Sequence, residues 1–188
     1  FGGAHSNHLA AVAMACSERR IPAIMLVRSG HANESSTLKF ASSQGIRIIA
    51  VAPGEYRRRV EAEYLDELQA RLGPFHLIPE GGCNEEGVLG CREILPDSLD
   101  FDYVICACGT GTTITGLILS YGHKATLIGI TPLKGPMTLH AEVNAWLTKM
   151  VSDQSVKGFH RPPDLISAHC ILGQYAYAGF ARFVPELE

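Results

Sequence analysis

Two short segments carry the residue types that could do chemistry. The first is Gly2-Gly3-Ala4-His5-Ser6-Asn7-His8, which opens directly into the helix-forming run Leu9 to Arg19. Two glycines allow a tight turn and a close approach of backbone to ligand. Ser6 and Asn7 suit a helix start, where they can cap it while its first amides stay free for an anion. That combination suits a carboxylate. An ordinary capped strand-loop-helix junction has the same composition, so this segment alone leaves both readings open.

The second segment is Tyr103-Val104-Ile105-Cys106-Ala107-Cys108-Gly109-Thr110-Gly111-Thr112-Thr113, followed by Ile114 to Tyr121. It reads as a buried strand, a glycine turn and a helix. Successive amides after Cys108 can point into one concavity, the helix dipole adds partial positive charge, and the hydroxyls of Thr110, Thr112 and Thr113 add donors. A phosphate fits that environment. A nucleoside-triphosphate loop would need Gly-Lys-Ser/Thr, which is absent. A dinucleotide fingerprint would need a third glycine three residues after the second, where Ile114 stands; the next glycine is Gly116. The following strand ends in Thr131-Pro132-Leu133, with no acidic residue to hold a ribose. A small cofactor with one phosphate is the preferred ligand, and a ligand-free glycine crossover stays open.

These segments need elements to position them. Apolar runs bounded by Gly, Pro or charged residues predict strands at Ala23 to Val27, Arg47 to Val51, Phe75 to Ile78, Tyr103 to Cys108, Leu127 to Thr131 and Leu165 to Cys170. Helices are predicted at Asn7 to Arg19, Ser36 to Gln44, Glu55 to Arg71, Glu85 to Ile94, Thr112 to Tyr121 and Leu139 to Met150, where apolar residues recur three or four apart. Such alternation predicts an α/β fold of parallel sheets with helices on both faces, and in such folds ligands sit at the carboxyl ends of strands, where both glycine segments fall. A boundary near Gly73-Pro74 would divide the chain into two lobes, 1–73 with the first loop and 74–188 with the phosphate loop. Ser152 to Pro163 reads as a surface loop.

Composition narrows the function. The 188 residues, 46% hydrophobic and 19% charged, are enough for one ordinary domain or two small ones. Net charge is only −3, and the sixteen basic residues are scattered apart from Arg57-Arg58-Arg59, which has Glu55, Glu61 and Glu63 around it. That pattern argues against nucleic acid as a partner and for a solvated helix face. No apolar stretch approaches the roughly 20 residues that span a bilayer, and the first residues lack a signal-peptide pattern, so the expected location is the cytoplasm, with no membrane partner. The six cysteines, at 16, 83, 91, 106, 108 and 170, form no CxxC pair and read as reduced thiols. Cys106 and Cys108 share a strand face but have no nearby histidine, and with His5 and His8 counted as well no metal is expected.

Taken together, Gly2-Gly3-Ala4-His5-Ser6-Asn7-His8, Thr37-Leu38-Lys39-Phe40, Ile78-Pro79-Glu80-Gly81-Gly82-Cys83-Asn84, Cys106-Ala107-Cys108-Gly109-Thr110-Gly111-Thr112 and Gly179-Phe180-Ala181-Arg182 resemble one family. It is the 1-aminocyclopropane-1-carboxylate deaminase and D-cysteine desulfhydrase group of pyridoxal-phosphate enzymes, related to the tryptophan synthase β fold. The resemblance implies pyridoxal 5'-phosphate as cofactor. It implies that Asn7 bonds the cofactor's phenolic oxygen and that Gly109, Thr110, Gly111, Thr112 and Thr113 cradle its phosphate. Ser6 would bind the substrate carboxylate or act as a nucleophile, with Ser6, Asn7 and His8 forming the substrate contacts. The implied reaction deaminates a small amino acid to a 2-oxo acid and ammonia, with sulfide in addition from a thiol substrate. A homodimer is also implied.

The sequence departs from the family in three ways. Family members hold the cofactor through a lysine upstream of the first segment, and none of Lys39, Lys124, Lys134, Lys149 or Lys157 occupies that place. Family members also continue past the position of Glu188, so the chain reads as truncated at both ends. Cyclopropane deaminases more often carry Ile-Gln at Ala4-His5 and Thr-Arg at Leu9-Ala10, which leaves the cyclopropane substrate and a D-amino acid equally open. A module that binds the cofactor without catalysis is the alternative function.

Overall fold

The computed structural model describes residues 1–29, 35–98, 100–122, 124–131, 138–152 and 170–174. The expected loop beyond Ser152, the Gly179 to Arg182 segment, and Lys134 and Lys157 lie outside these residues. The chain divides into two compact units, Phe1–Gly81 and Gly82–Glu188. The seam falls later than Gly73-Pro74 because the intervening residues stay bound to the first unit. The Phe1 backbone nitrogen donates to the Ile78 carbonyl at 3.4 Å, and Leu77 packs against buried Tyr56, Tyr64 and Leu68.

The first unit runs α1 (Asn7–Glu18), β1 (Ile24–Arg28), α2 (Ser36–Ser43), β2 (Arg47–Val51), α3 (Pro53–Arg57) and α4 (Ala62–Leu72). Strands β1 and β2 pair in parallel, with Ile24 opposite Arg47 and Arg28 opposite Val51. Alternation along β1 sends its side chains to two cores. Met25 and Val27 join Leu9 and Ala13 of α1 and Leu38 and Ala41 of α2, whereas Leu26 joins Tyr56, Tyr64 and Leu68. Helices therefore cover both faces of this sheet. Gly2 adds a parallel bridge to Val27, its amide donating to the Leu26 carbonyl and its carbonyl accepting from Arg28. Since Ala23 and Ser29 bond toward β2, alternation puts Gly2 on the other edge of β1.

Two predicted elements differ. The helix expected over Glu55 to Arg71 is broken: α3 passes into a 3-10 turn at Arg58–Val60, and Glu61 is extended (φ −82°, ψ 130°) before α4 begins. Tyr56, Tyr64 and Leu68 are buried on both sides of the break, so the apolar period carries no trace of it. The strand expected at Phe75 to Ile78 is absent. These residues have no ladder partner and lead into the short 3-10 turn Glu80–Gly82.

The second unit holds α5 (Glu85–Cys91), β3 (Tyr103–Ala107), α6 (Thr112–Tyr121), β4 (Thr126–Thr131), α7 (Thr138–Ser152) and β5 (Cys170–Gln174). Its three strands are parallel in the order β3-β4-β5, and β5 begins where the predicted strand ended. One core gathers Val88, Cys108, Ile114, Leu117, Ile118, Leu127, Val143, Leu147 and Met150, with Val104 and Cys106 packed on it. The other face of β3 carries Tyr103 and Ile105, 64% and 66% exposed. Among the described residues no helix is long and apolar enough to cross a membrane.

Candidate functional site

In the first unit, the segment before α1 is held from three directions. A side chain at Gly2 would place its Cβ 2.7 Å from Leu9 Cγ, so only glycine lets the strand edge pass this close to α1. Ser35, fully buried at the start of α2, accepts from the Leu38 amide at 3.2 Å and donates to the Ala4 carbonyl. The Ser6 amide bonds the Gly3 carbonyl at 3.1 Å, closing the turn. Ser6 occupies the N-cap position (φ −77°, ψ 119°), yet its hydroxyl makes no capping bond. Capping by Ser6 was the expectation from sequence. Here the hydroxyl stays available to another partner, as does the exposed Asn7 amide; among the described residues neither side chain has a hydrogen-bond partner.

His8 stands one residue further, half-buried. Burial holds its imidazole below the ordinary value, opposed by the Pro79 carbonyl and Glu80. A neutral ring at neutral pH can accept or donate a proton, whereas a fixed imidazolium could only donate. Ser6, Asn7 and His8 are thus brought together at one helix start, and the exposed His5 lies beside them.

Glu80 has a structural partnership that the sequence did not disclose. The Tyr56 hydroxyl donates to Glu80 Oε1 at 2.9 Å, Arg59 lies 2.8 Å from Glu80 Oε2, and the Arg59 guanidinium stacks 4.9 Å from the Tyr56 ring centroid. Both carboxylate oxygens are occupied. Arg58 is likewise committed, to Glu61 and Glu67, so the arginine triplet is partly tied into ion pairs. Ser35 and the Tyr56-Glu80-Arg59 group were missed from sequence. A serine before a helix signals a cap, but no spacing pattern signals partners more than 20 residues away.

In the second unit, residues 107–114 line a small, open concavity. Gly111 produces it. Its backbone is left-handed (φ 83°, ψ −6°) at the N-cap of α6, which turns the chain from strand to helix, and a Cβ there would stand 3.0 Å from Val143 Cγ2. Around Gly109 there is open space. The Thr110 and Thr112 hydroxyls lie 2.9 Å apart, and Cys91 Sγ reaches Thr113 Oγ1 at 3.9 Å. No charged side chain occurs among residues 107–114. The positive potential must therefore come from the first amides of α6 and its dipole, which favours an anion over a cation. Phosphate oxygens match that donor set, and the five predicted residues Gly109 to Thr113 all line the concavity.

Gly116 answers the dinucleotide question. Its Cβ would stand 2.5 Å from Cys91 Cβ and 2.7 Å from the Val88 carbonyl, so this glycine serves contact between α5 and α6 rather than a pyrophosphate. Among the described residues no group of three His, Cys, Asp or Glu side chains could hold a metal ion.

Comparison with known proteins agrees with this chemistry. A family described as "Pyridoxal-phosphate dependent enzyme" matches residues 2–171. A Thermotoga maritima protein, provisionally named a 1-aminocyclopropane-1-carboxylate deaminase, is 31% identical over 124 residues, 62% of this chain and 40% of that protein. The mitochondrial bifunctional D-cysteine desulfhydrase/1-aminocyclopropane-1-carboxylate deaminase of Arabidopsis thaliana is 29% identical over 138 residues, 63% of this chain and 34% of its own length. A crystal structure described as an ACC deaminase homologue superposes with a TM-score of 0.72 at 21% identity, over 96% of this chain and 57% of that one, and supports the fold. The chain spans less than half the length of these two curated relatives. With a family match over nearly all its residues, the chain belongs to the pyridoxal-phosphate-dependent enzymes.

Proposed function

We propose that this chain is part of a deaminating enzyme that acts on a small amino acid, of the 1-aminocyclopropane-1-carboxylate deaminase or D-cysteine desulfhydrase type, and releases a 2-oxo acid and ammonia. The observation that carries it is the polar, uncharged concavity at the start of α6, shaped by left-handed Gly111. When bound, pyridoxal phosphate supplies an electron sink for charge developing on the substrate. The chain's own residues supply orientation. Gly109, Thr110, Gly111, Thr112 and Thr113 would hold the phosphate through amides and hydroxyls, Asn7 would donate to the phenolic oxygen, and the uncommitted Ser6 hydroxyl would meet the substrate carboxylate. His8, kept neutral by burial, is placed to hold or release a proton beside Ser6.

The test uses the full-length protein. Adding pyridoxal phosphate should produce a visible absorbance band, and 1-aminocyclopropane-1-carboxylate or D-cysteine should then yield ammonia and a 2-oxo acid, with sulfide from D-cysteine. A band without turnover of either substrate would favour a binding module. A protein that stays colourless would end the proposal.

A further inference from the structure

We infer that Ser35 is a positioning residue for substrate binding: through its bond to the Ala4 carbonyl it aims the Ser6 hydroxyl at the substrate carboxylate. The role rests on the functional reading of Ser6, whereas the bond itself does not.

Ser6 has no means of aiming itself. Its hydroxyl makes no capping bond, so its placement follows from the backbone that leads into it. That backbone is a four-residue turn, closed by the Ser6 amide donating to the Gly3 carbonyl at 3.1 Å, with Ala4 and His5 as its central pair. The peptide between the central pair is the soft point of such a turn. The common turn types differ chiefly by its rotation, which changes ψ of the first central residue and φ of the second, the torsions just ahead of Ser6. One rotated form puts the second central residue at positive φ. Histidine tolerates that region better than most residues, so sterics at His5 resist the rotation only weakly. Yet among the described residues Arg20 is the one non-glycine residue with a positive φ, so His5 is held in the other range.

Ser35 supplies the restraint. Its hydroxyl donates to the Ala4 carbonyl, which belongs to this central peptide and lies 31 positions away in the chain. The serine is fully buried, and its oxygen accepts from the Leu38 amide at 3.2 Å. A hydroxyl has one hydrogen to give, so with the oxygen committed to α2 that hydrogen has a fixed direction. Burial also removes water as an alternative partner, so a rotated peptide would leave the Ser35 hydroxyl unpaired. The other anchors lie at the edges of the turn: Gly2 is bonded to β1 through both its amide and its carbonyl, and Ser6 begins α1. Among the described residues Ser35 is the side chain that holds the middle. Shielded from solvent, it reaches no ligand and acts only through the turn.

The experiment compares the full-length protein, loaded with pyridoxal phosphate, with its Ser35→Gly, Ser6→Ala and doubly substituted variants. Glycine is itself an acceptable N-cap, so Ser35→Gly removes the Ala4 bond while sparing the start of α2. Hydrogen exchange at the Ser6 amide should quicken roughly 10-fold in Ser35→Gly, with the later amides of α1 unchanged. With D-cysteine or 1-aminocyclopropane-1-carboxylate, whichever turns over, Ser35→Gly should raise KM roughly 10-fold and keep kcat within about twofold. In the Ser6→Ala background the same substitution should add less than about twofold, because no hydroxyl is left to aim. Ser42→Gly, at an exposed position of α2, weakens that helix elsewhere and should leave KM unchanged. Unchanged exchange at Ser6 overturns the proposal, and so does an unchanged KM in Ser35→Gly. Equal KM penalties with and without the Ser6 hydroxyl, or a matching KM rise in Ser42→Gly, make Ser35 a structural residue alone and overturn it too. A protein that turns over neither substrate overturns the functional reading and the positioning role with it, and the exchange measurement then shows separately whether Ser35 holds the turn.

Discussion

Ser6 shows how a residue can occupy a structural position without doing the structural task. It sits at the N-cap of α1, where a serine hydroxyl usually contributes about 1 kcal/mol by accepting from an early helix amide, yet it makes no such bond. Ser6→Ala should therefore change the unfolding midpoint by little, within about 0.5 kcal/mol, while raising KM for the amino-acid substrate. Parallel urea melts and steady-state kinetics on the full-length protein check both halves. A loss of stability near 1 kcal/mol would return Ser6 to an ordinary cap.

Two glycines separate loop from packing at the same scale. Gly111→Ala forces a left-handed backbone onto an L-residue and crowds Val143, and should cost about 1–2 kcal/mol. It should also weaken pyridoxal-phosphate affinity, because the strain falls on the concavity itself. Gly116→Ala drives a methyl into Cys91 and the Val88 carbonyl and should cost about 1–3 kcal/mol, with affinity kept in the folded fraction. Thermal melts with ligand titrations distinguish the two. Equal affinities in both variants would remove the loop from the phosphate assignment.

At the scale of elements, α3 and α4 attach to the first unit through two buried phenols. Tyr64 is pushed up to about 12, first by burial and then by its hydrogen bond to Glu55; Tyr56 is raised for the same reasons, with Glu80 as its partner. Each fold therefore prefers the protonated phenol. Below the unfolded value near 10 both states are neutral and stability is intact. As pH rises above 10 the unfolded chain ionises first, so stability falls until the folded phenols ionise too. Denaturant melts of the full-length protein between pH 9 and 12 should show this decline. Tyr56→Phe and Tyr64→Phe should flatten it, and an unchanged slope in both would refute the assignment. The same elements show where sequence legibility ends. Helix α6 and strand β2 were read with their observed limits, because a long apolar run or β-branched stretch bounded by glycine or charge carries its own ends. The break at Glu61 and the missing strand at Phe75 to Ile78 were not legible, since each depends on whether a partner is within reach.

For the whole molecule, the open face of β3 has a measurable consequence. Parallel sheets are normally covered on both sides, and Tyr103 and Ile105 stand exposed on the same side of β3. These 188 residues expressed alone should self-associate in sedimentation, and Ile105→Glu should reduce that association. An Ile105→Glu chain that associates as strongly would show that another surface is responsible.

The sequence by itself determined the α/β alternation, both glycine turns and the kind of ligand they suit, because glycine freedom, helix-start amides and apolar period are local properties encoded within a dozen residues. It also disclosed the family, through motifs spread along the chain. Only the tertiary structure decided that Ser35 secures the first loop, that Glu80 is consumed by Tyr56 and Arg59, that Gly116 serves helix packing, and that Cys106 and Cys108 face one core beside the Gly109–Thr113 turn. These facts depend on groups far apart in sequence meeting at a few ångströms, and hydrogen-bond reach and van der Waals contact have no counterpart in spacing along the chain.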